Sequence, residues 1–510
     1  MNEAVFYRSL IHSIPSFISK YANGTLDAQV IIEDVKGWPP SSAKPMHSFF
    51  IYLYSYAVGL DVFSSKCVAA TFGIFSVIML FMLMRLWYGT TIAIVAALFL
   101  ACSGYHIYVS RIGGPETIST FFILCAWYWY GKSCVDKNSF GKNNYFILLC
   151  GIALGLCFTT CYRWIIVIPI IWIYESVRFV KVAATERKVI IKRILLLTIS
   201  FLFLPILCEM VYWPLHYMPH FEVSFRHMPK NIFGYFNQLI YYLVFQSKAG
   251  TFLIHDLYID FFLKLNGVAL TSLSLIGLIM LIKRHSPKDL LVALPGLIVF
   301  TVLSIKTRGN SLRYISLALP FIAALAAVAL VQLFLYIPLH KKTRTTLIAI
   351  TALIVSYTSI YNIIELTTIR AGYQSAMEYL RQNHGERHLS TSNAYSEFYF
   401  GRNVAEQTPA RREDLKTLLQ EGAYRYVVLD FMSHRVLKKD TKAIIENYCT
   451  PVARIKNDIG KNYFTLIESV GYRHHKKNYI RDALNDPHAA FIEIYDADAV
   501  LRVLSVRNRL

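Results

Sequence analysis

Long apolar runs, separated by short charged segments, dominate the first 365 positions of the chain. They cover 68–84, 91–109, 117–130, 145–160, 164–174, 194–213, 261–282, 290–305, 315–336 and 346–364. A bilayer-crossing helix needs about 20 mostly apolar residues, and several runs reach that length once their polar flanks are counted. The pattern predicts a polytopic α-helical membrane protein with about 10–11 transmembrane helices. Beyond position 365 the pattern shortens. "RYVVLDF" (425–431), "TPVARI" (450–455) and "YFTLIES" (463–469) read as strands, and "SAMEYLRQNHG" and "EDLKTLLQEGA" read as helices between them. Residues 366–510 are thus expected to form a small soluble α/β domain, with Gly385 and Gly422 where helix C-caps fall.

Composition fits this division: of 510 residues, 55% are hydrophobic and 15% aromatic. The formal charge of +20 raises the question of nucleic acid, and its placement answers it. Positive residues crowd one alternate set of short loops: Arg85; Lys132, Lys137 and Lys142; Arg178 to Arg193; Lys283, Arg284 and Lys288; Lys341, Lys342 and Arg344. That is the positive-inside pattern of cytoplasmic connections, so the expected partner is membrane lipid and not nucleic acid. The other loops then face outward. They include the joint at 110–116, Arg163, the 214–257 connection with its Tyr-rich run, the 306–313 loop and the C-terminal domain. The nine cysteines form no CxxC pair and no disulfide framework, and most lie in or beside spans. The tail carries no GxGxxG, Walker or HExxH signature.

The first 46 residues are too polar to span. "MHSFFIYLYSYAVGL" (46–60) is short and aromatic-rich, which suits an interfacial helix in the membrane plane. Three regions result: 1–65, an outer loop with interfacial helices; 66–365, the helical membrane domain; and 366–510, the outer α/β domain. Within the outward joint "GYHIYVSRIGGPETISTFF" (104–122), Arg111 and Glu116 flank Gly113-Gly114-Pro115. Ionisable groups beside a span are costly and point to function. Glu209 is the clearest charge within a run, and His255 and Asp256 lie in the long outer connection.

Four segments resemble motifs of the GT-C membrane glycosyltransferases, in the branch of protein O-mannosyltransferases and aminoarabinose transferases. "NEAVFYRSL" (2–10) is similar to the "DE-a-x-Y-Y" element that opens the family's first extracytoplasmic loop. "KPMHSFFIYL" (44–53) resembles "h/k-P-P-L-y-y-l". The segment 97–122 resembles the "S-R-x-a-x-x-D" element, and "LRYISLALP" (312–320) the later "R-Y-l-l-x-l-P" element. Order and spacing agree along most of the chain. There are two departures: Asn2 stands in the place of the usual Asp, and the family's first transmembrane helix would precede Met1.

The resemblance implies an inverting glycosyltransferase of a bacterial inner (plasma) membrane. It would move a sugar from a polyprenyl-phosphate donor to a hydroxyl of a lipid, glycan or protein acceptor at the outer face. Such chemistry needs a carboxylate to take the hydroxyl proton and cations or a metal to receive the departing phosphate. The expected catalytic carboxylates are Glu3 and Glu116, with Asp27 the alternative base and Glu33 and Asp34 further competitors. Lys44, His47, Arg111, Arg163, Arg313 and Tyr314 are the expected substrate-binding residues. No cofactor is certain; a divalent cation stays open. The rival classes are a flippase for a lipid-linked substrate and a catalytically inactive subunit of a membrane complex.

Overall fold

The computed structural model describes residues 45–59, 62–135, 140–216, 256–284, 286–306, 316–367, 372–385, 387–390, 405–406, 424–430, 439–457 and 490–497, with scattered positions in 8–23 and the tail. Contacts divide the chain into two compact units, Met1–Ile363 and Ile364–Leu510. The first is helical: α1 (Pro45–Val58), α2 (Val62–Tyr88), α3 (Thr90–Ala101), α4 (Gly104–Arg111), α5 (Glu116–Val135), α6 (Phe140–Thr160), a 3-10 turn (Tyr162–Ile166), α7 (Pro169–Lys181), α8 (Ala184–His216), α9 (Asp256–Arg284), α10 (Pro287–Lys306), α11 (Leu319–Leu335) and α12 (Lys341–Thr367).

Among the described residues, six helices are long and apolar enough to cross a bilayer, or seven if the bent pair α3–α4 is one span. The chain is a multi-pass membrane protein. The 20-residue α5 falls outside those six because "WYWY" in its middle lowers hydropathy while still supplying apolar bulk. Its neighbours are nevertheless those of a core helix, α2 on one side and α6 on another. At the centre stands the Ala-rich α11, buried from Leu319 to Val331 except for the half-buried Ile322. Small side chains let α3 and α9 approach it closely. Ile74 and Ile78 of α2, Ile199 and Phe203 of α8, and Leu353 and Tyr357 of α12 are exposed. Such faces would aggregate in water and are satisfied by lipid.

The run 91–109 is not one straight helix. It turns by 56° between α3 and α4. Ser103 causes the break: its Oγ accepts from the His106 N–H at 3.2 Å, capping α4, and donates to Asn266 Oδ1 at 2.6 Å. Asn266 adjoins the kink of α9 at Gly267, and its carbonyl accepts from Ser359 Oγ of α12 at 2.7 Å. Three interrupted or neighbouring helices are thereby pinned at one polar hub.

The second unit holds α13 (Tyr373–Gln382), β1 (His388–Ser390), β2 (Ala405–Glu406), β3 (Tyr426–Leu429), α14 (Lys439–Tyr448), β4 (Thr450–Lys456) and β5 (Phe491–Asp496). The sheet order is β2-β1-β3-β5-β4; the first three strands are parallel, and β5 runs antiparallel to β3 and β4. All four residues of β3 are buried, because opposite faces meet different partners. Tyr426 and Val428 pack with Tyr373, Met377 and Leu380 of α13, whereas Val427 and Leu429 pack with Ile444 and Ile445 of α14. Cys449 joins the second of these cores, and burial pushes its thiol up to about 11. At the end of α13 the left-handed residue is His384 (φ 54°), not Gly385. Gly385 instead donates its N–H to Leu380 O at 2.7 Å and lies close against Leu380 and the Tyr426 ring. Gly422, "YFTLIES" and most of "EDLKTLLQEGA" lie outside the described residues.

Candidate functional site

The joint between α4 and α5 holds a cluster of polar groups, Ser110, Arg111, Glu116, Thr117, Ser119 and Thr120. Glu116 is the first residue of α5, where exposed backbone N–H groups and the helix dipole favour a carboxylate. It is only 1% exposed, and Thr117, Ser119 and Thr120 behind it are buried as well. α5 starts with the bond from Ser119 N–H to Pro115 O at 3.0 Å, and Ser119 Oγ donates to Glu116 O at 2.9 Å.

The loop that carries Glu116 is clamped from two helices. Gly113 adopts φ +69°, a conformation that side chains rarely take, and a Cβ there would stand 2.8 Å from Ser65 Oγ of α2. His47 of α1 donates its Nε2–H to Gly113 O at 3.1 Å. A Cβ on Gly114 would meet Glu116 Oε2 at 2.3 Å, so the carboxylate lies directly against the glycine backbone. Below the joint, the rings of Phe50 of α1, Phe72 of α2 and Phe122 of α5 pack edge-on or tilted, with centroids 5.2–5.9 Å apart. α1 is thus docked on the bundle beneath Glu116. One helix earlier, His106 of α4 is buried and donates Nε2–H to Gly73 O of α2 at 3.1 Å, and Ser110 Oγ donates to His106 O at 2.8 Å.

Arg111 ends α4 with its side chain exposed, on the same loop as the buried Glu116. The backbone of Arg163 lies in the 3-10 turn; its side chain is outside the described residues. The adjoining Trp164 is fully buried and therefore core, not an interfacial anchor. Glu3, Asp27, Glu33, Asp34, Lys44, Arg313, Tyr314 and His255 fall outside the described residues, as does the side chain of Glu209. So the structure brings His47 and Glu116 to one loop with Arg111. Among the described residues, no three His, Cys, Asp or Glu side chains converge.

Sequence reasoning missed several supporting groups. His106 and the Ser103–Asn266 pair are single polar residues in apolar runs, and Ser65 lies in the polar stretch just before one, signals that were present but had no pattern. It also counted Arg178 and Arg193 only as positive charges of a cytoplasmic connection. Both bind Glu175: Arg193 Nη2 lies 2.8 Å from Glu175 Oε1 and Arg178 Nη1 3.1 Å from Oε2. Tyr130 Oη also donates to Glu175 Oε1 at 2.9 Å. "WIYESVRF" held one carboxylate near an abundance of arginines, which is what a buried pair requires.

Residues 40–213 match the family model of dolichyl-phosphate-mannose-protein mannosyltransferases. That segment includes Lys44, His47, Arg111, Glu116 and Arg163 and leaves Glu3, Asp27, Arg313 and Tyr314 outside. No curated protein matches the chain. Among solved structures, ArnT from Cupriavidus metallidurans in the apo state shares the fold with a TM-score of 0.55 at 12% identity, over 89% of this chain and 91% of that one. ArnT bound to undecaprenyl phosphate matches with a TM-score of 0.53 at 11% identity, over 89% and 92%. The archaeal oligosaccharyltransferase AglB from Archaeoglobus fulgidus, in complex with an inhibitory peptide and a dolichol-phosphate, matches with a TM-score of 0.53 at 13% identity, over 82% of this chain and 65% of that one.

Proposed function

We propose that this chain, a GT-C superfamily membrane protein of the mannosyltransferase and ArnT-like branch, is an inverting glycosyltransferase with a polyprenyl-phosphate sugar donor. The observation that carries the proposal is the buried Glu116 at the start of α5, held in a glycine joint fixed by His47 and Ser65. A carboxylate kept in one position at a bundle end is suited to orient sugar or acceptor hydroxyls, which donate to it. The acceptor oxygen attacks the anomeric carbon from the face opposite the phosphate. A glycosidic C–O bond forms, the bond from C1 to the phosphate oxygen breaks, and the electron pair leaves with the polyprenyl phosphate. The hydroxyl proton passes to a second carboxylate, for which Glu3 is the candidate from the resemblance and Asp27 the alternative. Arg111, with Lys44, Arg163 and Arg313, would receive the phosphate charge. Arginine suits this because its planar fork binds two phosphate oxygens together.

The positive-inside pattern of the basic loops supports a reaction at the outer face of a plasma membrane. Two known lipid complexes support the donor class: ArnT is solved with undecaprenyl phosphate and AglB with a dolichol-phosphate. The test is transfer from radiolabelled polyprenyl-phosphate sugars by the purified protein, run beside a flippase assay in sealed vesicles. Transfer of label to an acceptor supports the proposal. Movement of lipid across the vesicle without transfer would replace it.

A further inference from the structure

The stretch "PIIWIYESVRFVK" forms α7, whose 13 residues rise about 20 Å. That is too short for a hydrocarbon core of about 30 Å and close to the depth of one leaflet. Its two sides differ. Ile170, Ile171 and Glu175 are buried against the bundle. Pro169, Trp172, Ile173, Ser176, Val177 and Val180 line an open groove of about 370 Å³ along the other side. Ile173 is 61% exposed and Val180 75%. One wall is fixed to α8, because Trp172 Nε1–H donates to Thr198 Oγ1 at 3.0 Å and the Trp172 ring meets Phe201 edge-on.

Among the described residues, exposed charge gathers at one end of this groove. Lys181, Arg187, Lys188 and Lys192 are all exposed there; among the described residues of this segment the one exposed acid is Glu186. Arg187 is held over the Phe179 ring at 5.4 Å, beside the last turn of α7. Arg178 and Arg193 bind Glu175 and are otherwise engaged. The contacts also say which face of the membrane this is. Arg193 Nη2–H donates to Ser133 Oγ in the last turn of α5, whereas Glu116 begins α5. A 20-residue helix, about 30 Å long, separates the two ends.

We propose that the α7 groove binds one anionic phospholipid of the leaflet opposite the Glu116 end. Its phosphate lies among Lys181, Arg187 and Lys188, and an acyl chain lies along Val180, Val177 and Ile173. The match rests on charge and depth together: cations at headgroup level, and below them an apolar trough one leaflet deep. A polyprenyl-phosphate donor fits poorly, because its phosphate must reach the Glu116 end. The inference stands apart from the transfer reaction and from any role of Glu116.

The experiment uses the full chain in phosphatidylcholine vesicles that contain a small fraction of lipid with brominated acyl chains. Bromine quenches nearby indoles, and the difference between the native protein and Trp172→Phe isolates the Trp172 signal. Brominated phosphatidylglycerol should quench that signal several-fold more strongly than brominated phosphatidylcholine at equal fraction. Each cation at a headgroup is worth up to about a fivefold preference, so Arg187→Gln with Lys188→Gln should remove most of that several-fold selectivity. High salt should weaken it in the native protein. Equal quenching by the two lipids would overturn the proposal, as would unchanged selectivity in the double variant. Displacement of brominated phosphatidylglycerol by an equal fraction of polyprenyl phosphate would assign the groove to the donor and overturn it too.

Discussion

Gly114→Ala separates the geometry of Glu116 from the stability of the fold. The added Cβ would stand 2.3 Å from Glu116 Oε2 and 3.5 Å from the carboxyl carbon. Ordinary carbon contacts need about 3.5 Å, so the oxygen must retreat by about 1 Å. The obstructed atom is the tip of a flexible side chain, and Gly114 has no positive φ to forbid alanine. The melting temperature should therefore change little. Catalysis should change much more, because misplacing a reacting group by about 1 Å costs roughly 10²-fold. Gly113→Ala is the contrast: it strains the backbone at φ +69° and strikes Ser65, so it should lower stability as well. A cycle with Glu116→Asp adds a sharper test, since the shorter chain withdraws from the new methyl. The double variant should be about as active as Glu116→Asp alone, not lower by a further factor. Rates from a radiolabelled donor, with thermal melts on the same samples, decide it. A Gly114→Ala enzyme with native turnover and native stability would refute the reasoning.

Three further outcomes follow from the same geometry. Arg111→Ala should leave the protein folded and inserted and reduce transfer by about 10²–10³-fold, the usual cost of removing one donor to a developing anion; unchanged turnover would place the phosphate elsewhere. Glu175→Gln should leave Arg193, 7% exposed, without its counter-charge and cost about 3–5 kcal/mol, read as a lowered thermal midpoint; an unchanged midpoint would show that the pair is not the anchor of α7 and α8. An impermeant thiol reagent should label Ile112→Cys in intact cells but reach the exposed Cys134, at the other end of α5, only after lysis. The reverse pattern would invert the orientation and remove the outer-face chemistry.

The helical membrane architecture was legible because apolar length is a one-dimensional signal. The joint at Gly113–Gly114 was legible too, since two glycines and a proline between charged residues announce a turn. The bend at Ser103 was not: serine interrupts neither the apolar run 91–109 nor its length, and only the distant Asn266 reveals why the helix breaks there. Arg193 was misread for a related reason. Its partner Glu175 is on a neighbouring helix, and pairing across helices leaves no spacing in the sequence. In the α/β unit, "RYVVLDF" and "TPVARI" became β3 and β4, while β5 (Phe491–Asp496) went unrecognised. In "FIEIYD" two acidic residues interrupt the apolar ones, and Glu493 is buried beside Arg454, which it bridges at 3.1 Å. Arg111 and Glu116 stood out as charges beside a span, whereas the roles proposed for Glu3, Lys44 and Arg313 came from the resemblance, because no local pattern links them.

The most direct measurement is the initial rate of sugar transfer by native protein and by Glu116→Gln, purified side by side and matched for folding by thermal melt. The substitution keeps the shape of the side chain and removes its charge. The proposed chemistry predicts measurable transfer from at least one polyprenyl-phosphate sugar by the native chain, with a loss of about 10²–10³-fold in the variant. Equal transfer by the two proteins would show that the buried carboxylate at the start of α5 has no part in the reaction.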